Sequence, residues 1–128
     1  GDVYKRQGID TSVLRIADGS GVSRYNLSSA DHLVKLLYYM YHSKHKNDFI
    51  YTLPGGGSKS TLRDRLDSSE SKIKAKTGHL SGVSCLSGYL FTENYGPLAF
   101  SILMNGYTGS ATPYKSLQDN IISSLLHD

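Results

Sequence analysis

Residues 83–104, VSCLSGYLFTENYGPLAFSILM, contain two alternating segments separated by turn-forming residues. Alternation over four to eight residues indicates a β-strand, and Glu93, Asn94 and Gly96 supply a turn between the two segments. The alternating sets are Val83, Cys85, Ser87, Tyr89 and Phe91 in the first segment and Leu98, Phe100, Ile102 and Met104 in the second. The stretch therefore predicts two consecutive antiparallel strands.

The neighbouring segments extend this pair into a small sheet with a helix. Residues 72–77 are predicted to form a preceding strand, which gives a three-stranded antiparallel meander. Thr112 and Pro113 form a suitable N-cap and first helical position, and a helix is expected to follow. Its predicted core face carries Leu117, Ile121 and Leu125. The predicted fold class is α+β, with the C-terminal helix packed on the sheet.

The first half of the chain predicts mainly helix. Ser28 or Ser29 can cap a helix over about residues 30–43, and residues 47–53 can form a short second helix. The apolar positions Leu33, Leu36, Leu37, Met40 and Tyr41 recur at helical spacing, and Tyr38, Tyr39 and Tyr41 are expected to form the edge of a core. Residues 11–16 are a strand candidate. Residues 1–7, GDVYKRQ, are predicted to be an artefactual leader, so that the domain comprises residues 8–128 and the true protein continues upstream.

Composition excludes several classes of function. A single cysteine, Cys85, rules out an internal disulfide and is expected to be a small buried apolar residue. His42 and His45 lack a matching pair of ligands, so no metal site is predicted. No apolar run is long enough to span a membrane. The net charge is +3, and the basic residues of segment 59–76 are interleaved with acidic ones, which favours a solvated face over nucleic-acid binding.

The segment KAKTGHLSG, residues 74–82, contains residue types that can form a catalytic and substrate-binding site along a strand. A lysine can assist a serine nucleophile, a threonine hydroxyl can bind a carboxylate, and a glycine lets a peptide lie along the strand. The triplet Lys-Thr-Gly is short, and an ordinary hairpin entry explains it equally well when it stands alone. Nucleotide-binding loops are disfavoured, because neither GSGVSR nor GGGSKST has the required spacing.

The companion motifs of a serine acyltransferase are Ser-x-x-Lys and Ser-x-Asn. Ser-x-x-Lys occurs at Ser43/Lys46, Ser69/Lys72 and Ser71/Lys74, but none of these begins a clear apolar helix, and Ser-x-Asn does not occur. If this is such an enzyme, we expect its nucleophile and its second motif to lie upstream of this chain.

Four sequence blocks that occur in the same order along the chain are much more specific than the Lys-Thr-Gly triplet alone. They are DGSGVSRYN (18–26), TLRDRL (61–66), KAKTGHLSGVSCLSGY (74–89) and PLAFSILMNG (97–106). Together they resemble the C-terminal part of the D-alanyl-D-alanine carboxypeptidase/endopeptidase family, the class C low-molecular-mass penicillin-binding proteins. The resemblance covers nearly all of residues 8–128. It implies a fragment of the β-lactamase/transpeptidase-like fold.

The resemblance also implies roles for individual residues. Lys76 would assist proton transfer, and the backbone N–H of His79 would be an oxyanion-hole donor. The implied substrate-binding residues are Thr77, for a terminal carboxylate, together with Gly78, Ser81, Ser20 and Val22. His79 and Val22 stand where threonine and leucine are usual in the family. Asp18 and Arg24 are expected to fix the loop that carries Ser20 and Val22.

The implied function is a serine-type peptidase that acts on peptidoglycan stem peptides outside the cytoplasmic membrane by an acyl-enzyme mechanism, with β-lactams as inhibitors. The complete enzyme would need no metal or organic cofactor. This chain alone would be inactive. Two alternatives remain open at this point. The chain could be a non-catalytic module whose basic region 59–76 binds an anionic cell-wall polymer or nucleic acid, or it could be a fragment that does not fold alone.

Overall fold

The computed structural model describes residues 29–57, 62, 65–66 and 72–127. Along the described residues the elements are helices α1 and α2, a three-stranded sheet and helix α3. Their bounds are α1 Ala30–Tyr41, α2 Lys46–Tyr51, β1 Ile73–Leu80, β2 Val83–Thr92, β3 Gly96–Asn105 and α3 Thr112–Leu126. The predicted strand at residues 11–16 and the loop at residues 18–26 lie outside the described residues.

The sheet is an antiparallel meander in the order β1-β2-β3, as the alternation predicts. A two-residue turn joins β1 to β2, and Gly82 occupies the left-handed region there with φ 75°, where a side chain would be strained. β1 ends at Leu80 and not at residue 77 as predicted, because its pairing with β2 continues to Leu80↔Val83. His79 is therefore a strand residue.

One face of the sheet packs against α3 through an apolar core. Even-numbered residues of β2 point to this face, and both Leu86 and Leu90 are completely buried. Ile122 and Leu126 of α3 contact this cluster. Complete burial of such side chains stabilises a fold by roughly 1.5–3 kcal/mol each. The full cluster of buried residues is Leu62, Ile73, Ala75, Leu86, Leu90, Phe100, Ile122 and Leu126.

The predicted core face of α3 is wrong for Leu117 and Ile121, whereas Leu125 packs against the core cluster as predicted. Leu117 and Ile121 are 50% and 39% exposed, whereas Gln118 is completely buried. Gln118 donates from Nε2 to the carbonyl of Ser84 on β2 at 3.3 Å, which satisfies a polar group that burial would otherwise penalise. The helix also begins one residue earlier than predicted. Thr112 is its first residue and Ala111 its N-cap, so that Pro113 follows within the first turn.

A polar network joins α3 to the segment before the sheet. The Arg65 guanidinium donates to both carboxylate oxygens of Asp119, with the shortest distance at 2.7 Å. It also donates to Gln118 Oε1 at 3.0 Å. The side chains of Arg65 and Asp119 are only 13% and 26% exposed, so this pair is shielded from solvent and fixes residue 65 against α3.

The opposite face of the sheet packs against α1. The Tyr89 phenol donates to the backbone carbonyl of Leu37 at 2.6 Å, and the Tyr89 side chain is 1% exposed. Ser29 caps α1 by accepting from the backbone N–H of His32, as predicted. The predicted aromatic core edge is wrong for Tyr38 and Tyr39, which are 64% and 47% exposed, because the buried stripe of α1 follows His32 and Leu37 instead.

The two N-terminal helices are shorter than predicted. α1 ends at Tyr41 and not at residue 43, and α2 covers Lys46–Tyr51 and not residues 47–53. None of the helices in the described parts of the chain is both long and apolar enough to cross a membrane.

Removal of the Tyr89 hydroxyl should destabilise the fold in a pH-dependent way. Burial, with a smaller contribution from Tyr41, raises the pKa of Tyr89 from 10.0 to about 12. The contribution of the protonated phenol to stability is therefore fully present below pH 10 and is lost as the pH rises towards 12. Tyr89→Phe should cost about 0.5–1.5 kcal/mol of unfolding free energy at neutral pH, because it removes the buried hydrogen bond from Tyr89 to the Leu37 carbonyl.

This expectation is checked by urea unfolding at a series of pH values. Tyr89→Phe should lose less additional stability than the wild type between pH 10 and 12. Equal alkaline losses in the two proteins would contradict the assignment of this titration to Tyr89.

Asp119→Asn should destabilise the fold by about 1–3 kcal/mol, because it removes the charge that pairs with a shielded guanidinium. The matched control is Asp31→Asn, in the exposed pair of Asp31 with Lys35 on α1, whose side chains are 70% and 52% exposed. The control should cost no more than about 0.5 kcal/mol. Urea unfolding at neutral pH measures both, and similar losses for the two variants would contradict the structural role of the Arg65–Asp119 pair.

Candidate functional site

β1 forms an edge of the described sheet, and its backbone polarity alternates between two directions. The backbone N–H of Ala75 donates away from β2, to the carbonyl of Pro54 at 2.9 Å. In an antiparallel pair, the N–H and C=O groups of every second residue point to the same side. The backbone groups of Thr77 and His79 therefore also point away from β2, towards the outer edge of the described sheet.

Lys76 lies between these two outward-facing residues. Its ammonium donates to the carbonyl of Thr77 at 2.8 Å, at the same edge, and its side chain is exposed. A cation and the outward backbone N–H groups of Thr77 and His79 are thus grouped along one edge. Such a grouping can bind and polarise a carbonyl or a carboxylate.

The side chains of β1 alternate between the faces of the sheet. Lys76 pairs with Ser87 and Gly78 with Cys85, and these four residues share the face that α1 covers further along the sheet. Cys85 is half-buried, and burial raises the pKa of its thiol. The thiol of Cys85, opposite Gly78, is therefore neutral near neutral pH.

Gly78 is a glycine that the described fold does not require. Its φ lies outside the left-handed region, and the nearest atom to a Cβ built on it is the Cβ of Cys85 at an ordinary 3.6 Å. Gly88 on β2 is the opposite case, since a Cβ there would lie 2.8 Å from the Ala75 Cβ and would also overlap the β1 backbone. Gly78 leaves an open slot on the sheet face, whereas Gly88 permits two strands to approach.

The segment around Pro54 covers the beginning of the β1 edge. Gly55 forms an isolated antiparallel bridge with Lys74 and thereby adds to the bond from Ala75 to Pro54. At this stretch, LPGGG (53–57), the sequence predicts only the end of a short helix, at residue 53. Its pairing could not be read from local pattern, because the partner lies 19 to 21 residues further along the chain. Among the described residues, this cover ends before Thr77.

Four of the predicted site residues come together, and the rest are further away or not described. Lys76, Thr77, Gly78 and His79 are consecutive on β1, with Thr77 half-buried and the other three exposed. Ser81 is exposed in the β1–β2 turn. Ser20, Val22 and most of the basic region 59–76 lie outside the described residues, so the predictions made for them stay predictions.

The Ser-x-x-Lys match at Ser43/Lys46 is not a nucleophile with its lysine. The Ser43 hydroxyl donates to the carbonyl of Met40 at 2.8 Å, at the end of α1. The Lys46 ammonium lies 3.8 Å from the centre of the Tyr41 ring and makes a cation–π contact. Both groups are engaged away from β1. Ser69 and Ser71, of the other two matches, are outside the described residues.

Comparisons with known proteins agree on one family. The family model described as "D-Ala-D-Ala carboxypeptidase 3 (S13) family" matches residues 2–124. A D-alanyl-D-alanine carboxypeptidase of an Actinomadura species is 41% identical over 111 residues, which cover 81% of this chain and 20% of the relative. The D-alanyl-D-alanine carboxypeptidase DacB of Haemophilus influenzae is 33% identical over 110 residues, covering 83% of this chain and 23% of the relative.

Solved structures match the fold over almost the whole chain. The crystal structure of penicillin binding protein 4 from Haemophilus influenzae, in complex with a β-lactam, superposes with a TM-score of 0.84 at 27% identity. The match covers 98% of this chain and 31% of that one. A predatory peptidoglycan endopeptidase from Bdellovibrio bacteriovorus shares the fold with a TM-score of 0.79 at 21% identity, covering 98% of this chain and 35% of that one. The predicted transpeptidase-like α+β fold is confirmed, and this chain spans a fifth to about a third of the lengths of these relatives.

Substitutions of Gly78 and Gly88 test whether Gly78 is needed for folding. Gly78→Ala should change the free energy of unfolding by no more than about 0.5 kcal/mol, because the new methyl group meets only an ordinary contact. Gly88→Ala should cost about 1–3 kcal/mol or more, because it forces β1 and β2 apart. Urea unfolding measures both. A loss at Gly78 as large as the loss at Gly88 would mean that Gly78 has a structural role and would remove it from the candidate site.

Proposed function

This chain belongs to the D-Ala-D-Ala carboxypeptidase 3 (S13) family, and on that premise we propose that it forms one wall of the active-site cleft of a serine-type peptidase. The substrate would be a peptidoglycan stem peptide ending in D-Ala-D-Ala. The observation that carries the proposal is the β1 edge. There the Lys76 ammonium and the outward backbone groups of Thr77 and His79 flank Gly78, a glycine that the described fold does not require.

In the proposed reaction a serine hydroxyl attacks the carbonyl carbon of the peptide bond between the last two residues. The ester bond to the serine forms and the peptide bond breaks, and the serine proton passes to the departing amine of the terminal D-alanine. Water then hydrolyses the ester and frees the enzyme. A β-lactam would acylate the same serine, since its strained amide replaces the peptide bond.

Each residue of the edge has a part in this scheme. The backbone N–H of His79 donates to the carbonyl oxygen as it gains negative charge, and preorganised donors of this kind accelerate acyl transfer by about 10²–10³-fold. The Thr77 hydroxyl binds the terminal carboxylate. The Lys76 ammonium lowers the cost of negative charge in the cleft and assists the proton transfer. Ser81, in the β1–β2 turn, would contact the substrate, and Ser20 and Val22, which lie outside the described residues, would bind it from the other side of the cleft.

We place the nucleophile and the Ser-x-Asn motif outside residues 1–128. The relatives are about three to five times longer than the part that this chain matches, and the chain contains no Ser-x-Asn. On this proposal the 128-residue chain binds no β-lactam covalently, and the complete protein acts outside the cytoplasmic membrane, where peptidoglycan lies. Whether it works as a carboxypeptidase or an endopeptidase depends on which amine leaves.

A fluorescent penicillin tests the proposal. The complete protein should be labelled, and the 128-residue chain should not. Lys76→Ala in the complete protein should slow acylation about 10²-fold or more, because proton-transfer assistance of this kind contributes about 10²–10⁴-fold. Lys35→Ala is the matched control, since Lys35 is an exposed lysine of α1 paired with Asp31, and acylation should stay unchanged.

Two results would overturn the assignment. Stable covalent labelling of the 128-residue chain would mean that it carries its own nucleophile. Acylation of Lys76→Ala at the wild-type rate would remove Lys76 from the mechanism.

A further inference from the structure

The backbone N–H of His79, the oxyanion-hole donor of the proposed function, lies close to the end of a hairpin. β1 ends at Leu80, one residue after His79, and a two-residue turn follows. The ends of paired strands are where local opening costs least free energy. A group that takes part in acyl transfer must nevertheless keep its position to within about 0.5 Å. Something in the fold therefore has to hold this end of the hairpin.

Tyr107, in the loop between β3 and α3, contacts the hairpin end at two points. Its hydroxyl shares a hydrogen bond of 2.9 Å with the hydroxyl of Ser84, the residue that pairs with His79. Its carbonyl oxygen lies against the β1–β2 turn, 2.9 Å from the position that a Cβ on Gly82 would take. Ser84 is only 2% exposed, so water does not replace a lost partner of its hydroxyl.

Tyr107 and Ser84 are both fixed to α3. The ring of Tyr107 stacks on the ring of Tyr114 in α3, with the centroids 3.9 Å apart and an interplanar angle of 17°. Gln118, also in α3, donates from Nε2 to the Ser84 carbonyl at 3.3 Å. Ser84 is thus tied to α3 through its side chain and through its backbone. The helix that packs on the sheet therefore also anchors the hairpin end.

The pairing of Ser84 with His79 transmits this restraint to β1. Because the backbone groups of His79 point away from β2, this is a pair without backbone hydrogen bonds, in which the two Cα atoms approach to about 4.5 Å. By the same alternation, the pairs on either side, Gly78↔Cys85 and Leu80↔Val83, carry the backbone hydrogen bonds. A displacement of Ser84 moves both neighbouring pairs, and with them the peptide group that carries the N–H of His79.

We propose that Tyr107 is a positioning residue for the oxyanion hole, which acts through Ser84 to keep the N–H of His79 in its direction. The proposal rests on the proposed function, in which this N–H donates to the carbonyl oxygen under attack. Loss of the Tyr107 hydroxyl loosens the donor without removing it, so the acylation step slows. Binding is retained, because Thr77 lies two residues further from the hairpin end.

The experiment uses the complete protein and the concentration dependence of its acylation by a fluorescent penicillin. It measures the limiting rate of acylation and the penicillin concentration that gives half of that rate. Tyr107→Phe keeps the ring and the backbone contact with Gly82 but lacks the hydroxyl. It should lower the limiting rate about five- to ten-fold, a part of the roughly 10²–10³-fold that one oxyanion-hole donor contributes, and should change the half-saturating concentration less than about two-fold. An unchanged limiting rate with a raised half-saturating concentration would assign the hydroxyl to binding and overturn the proposal.

Ser84→Ala removes the other partner of the same hydrogen bond. It should lower the limiting rate as much as Tyr107→Phe does, and the double variant should be no slower than either single variant, because one interaction is broken in all three. A double variant whose loss is the product of the two single losses would mean that the hydroxyls act independently. That result would overturn the proposal.

Thr92→Val is the matched control. The Thr92 hydroxyl donates to the Gly96 carbonyl at 2.8 Å and so holds the β2–β3 turn, at the opposite end of β2 from Ser84. Its loss removes a hydroxyl hydrogen bond from the same sheet and should leave the limiting rate of acylation unchanged. Slowing equal to that of Tyr107→Phe would mean that general loosening of the sheet is the cause, and the proposal would then be wrong.

The outcomes separate this proposal from the proposed function. If the wild-type protein is not acylated, or if Lys76→Ala is acylated at the wild-type rate, the proposed function has failed. If Lys76→Ala is slow but Tyr107→Phe and Ser84→Ala keep the wild-type limiting rate, only the positioning role of Tyr107 is wrong. If one of these two variants does not fold, the other decides, and an unchanged limiting rate in that variant overturns the proposal.

Discussion

The register of β1 against β2 is the constraint on which the candidate site depends. Side chains of a strand alternate with a period of two, so a slip of one residue would exchange the two faces of β1. Lys76 would turn towards the apolar core, and Thr77 would face α1. Gly88 makes the native register possible: its missing Cβ leaves the space that Ala75 fills, and a side chain at this position would overlap β1. Ile73 and Ala75, both completely buried, would be exposed in the shifted register.

The sheet is held from both sides, by different kinds of interaction. α3 contributes an apolar cluster and the buried Gln118, whereas α1 contributes the hydrogen bond from Tyr89 to the Leu37 carbonyl. Burial on both faces leaves the sheet little freedom to twist or to shift. The β1 edge is therefore presented by a rigid support, which is what a site for oriented acyl transfer needs.

The sequence predicts those features that depend on local pattern and misses those that depend on distant partners. The alternation in β2 and β3 identifies both strands, because each face of a sheet imposes its own period on neighbouring residues. The core face of α3 is predicted wrongly because Leu117 and Ile121 are more apolar than Gln118. Gln118 is buried only because Arg65 and the Ser84 carbonyl, 53 and 34 residues away, supply hydrogen bonds to it. The cover of the β1 edge by Pro54 is non-local in the same way.

The candidate site is recognisable in the sequence as the triplet Lys76-Thr77-Gly78. The difference between Gly78 and Gly88, which supports a functional role for Gly78, is seen only in the structure. Gly78 and Gly88 are the same residue type on paired strands, and a sequence gives no reason to treat them differently. In the structure, a side chain at position 88 would collide with β1, whereas a side chain at position 78 would meet only Cys85. A glycine that the fold does not need costs backbone entropy without a structural return. On the proposed function, the return is the space that Gly78 leaves at the edge beside Lys76 for an extended peptide, whose shape and hydrogen-bonding groups fit there.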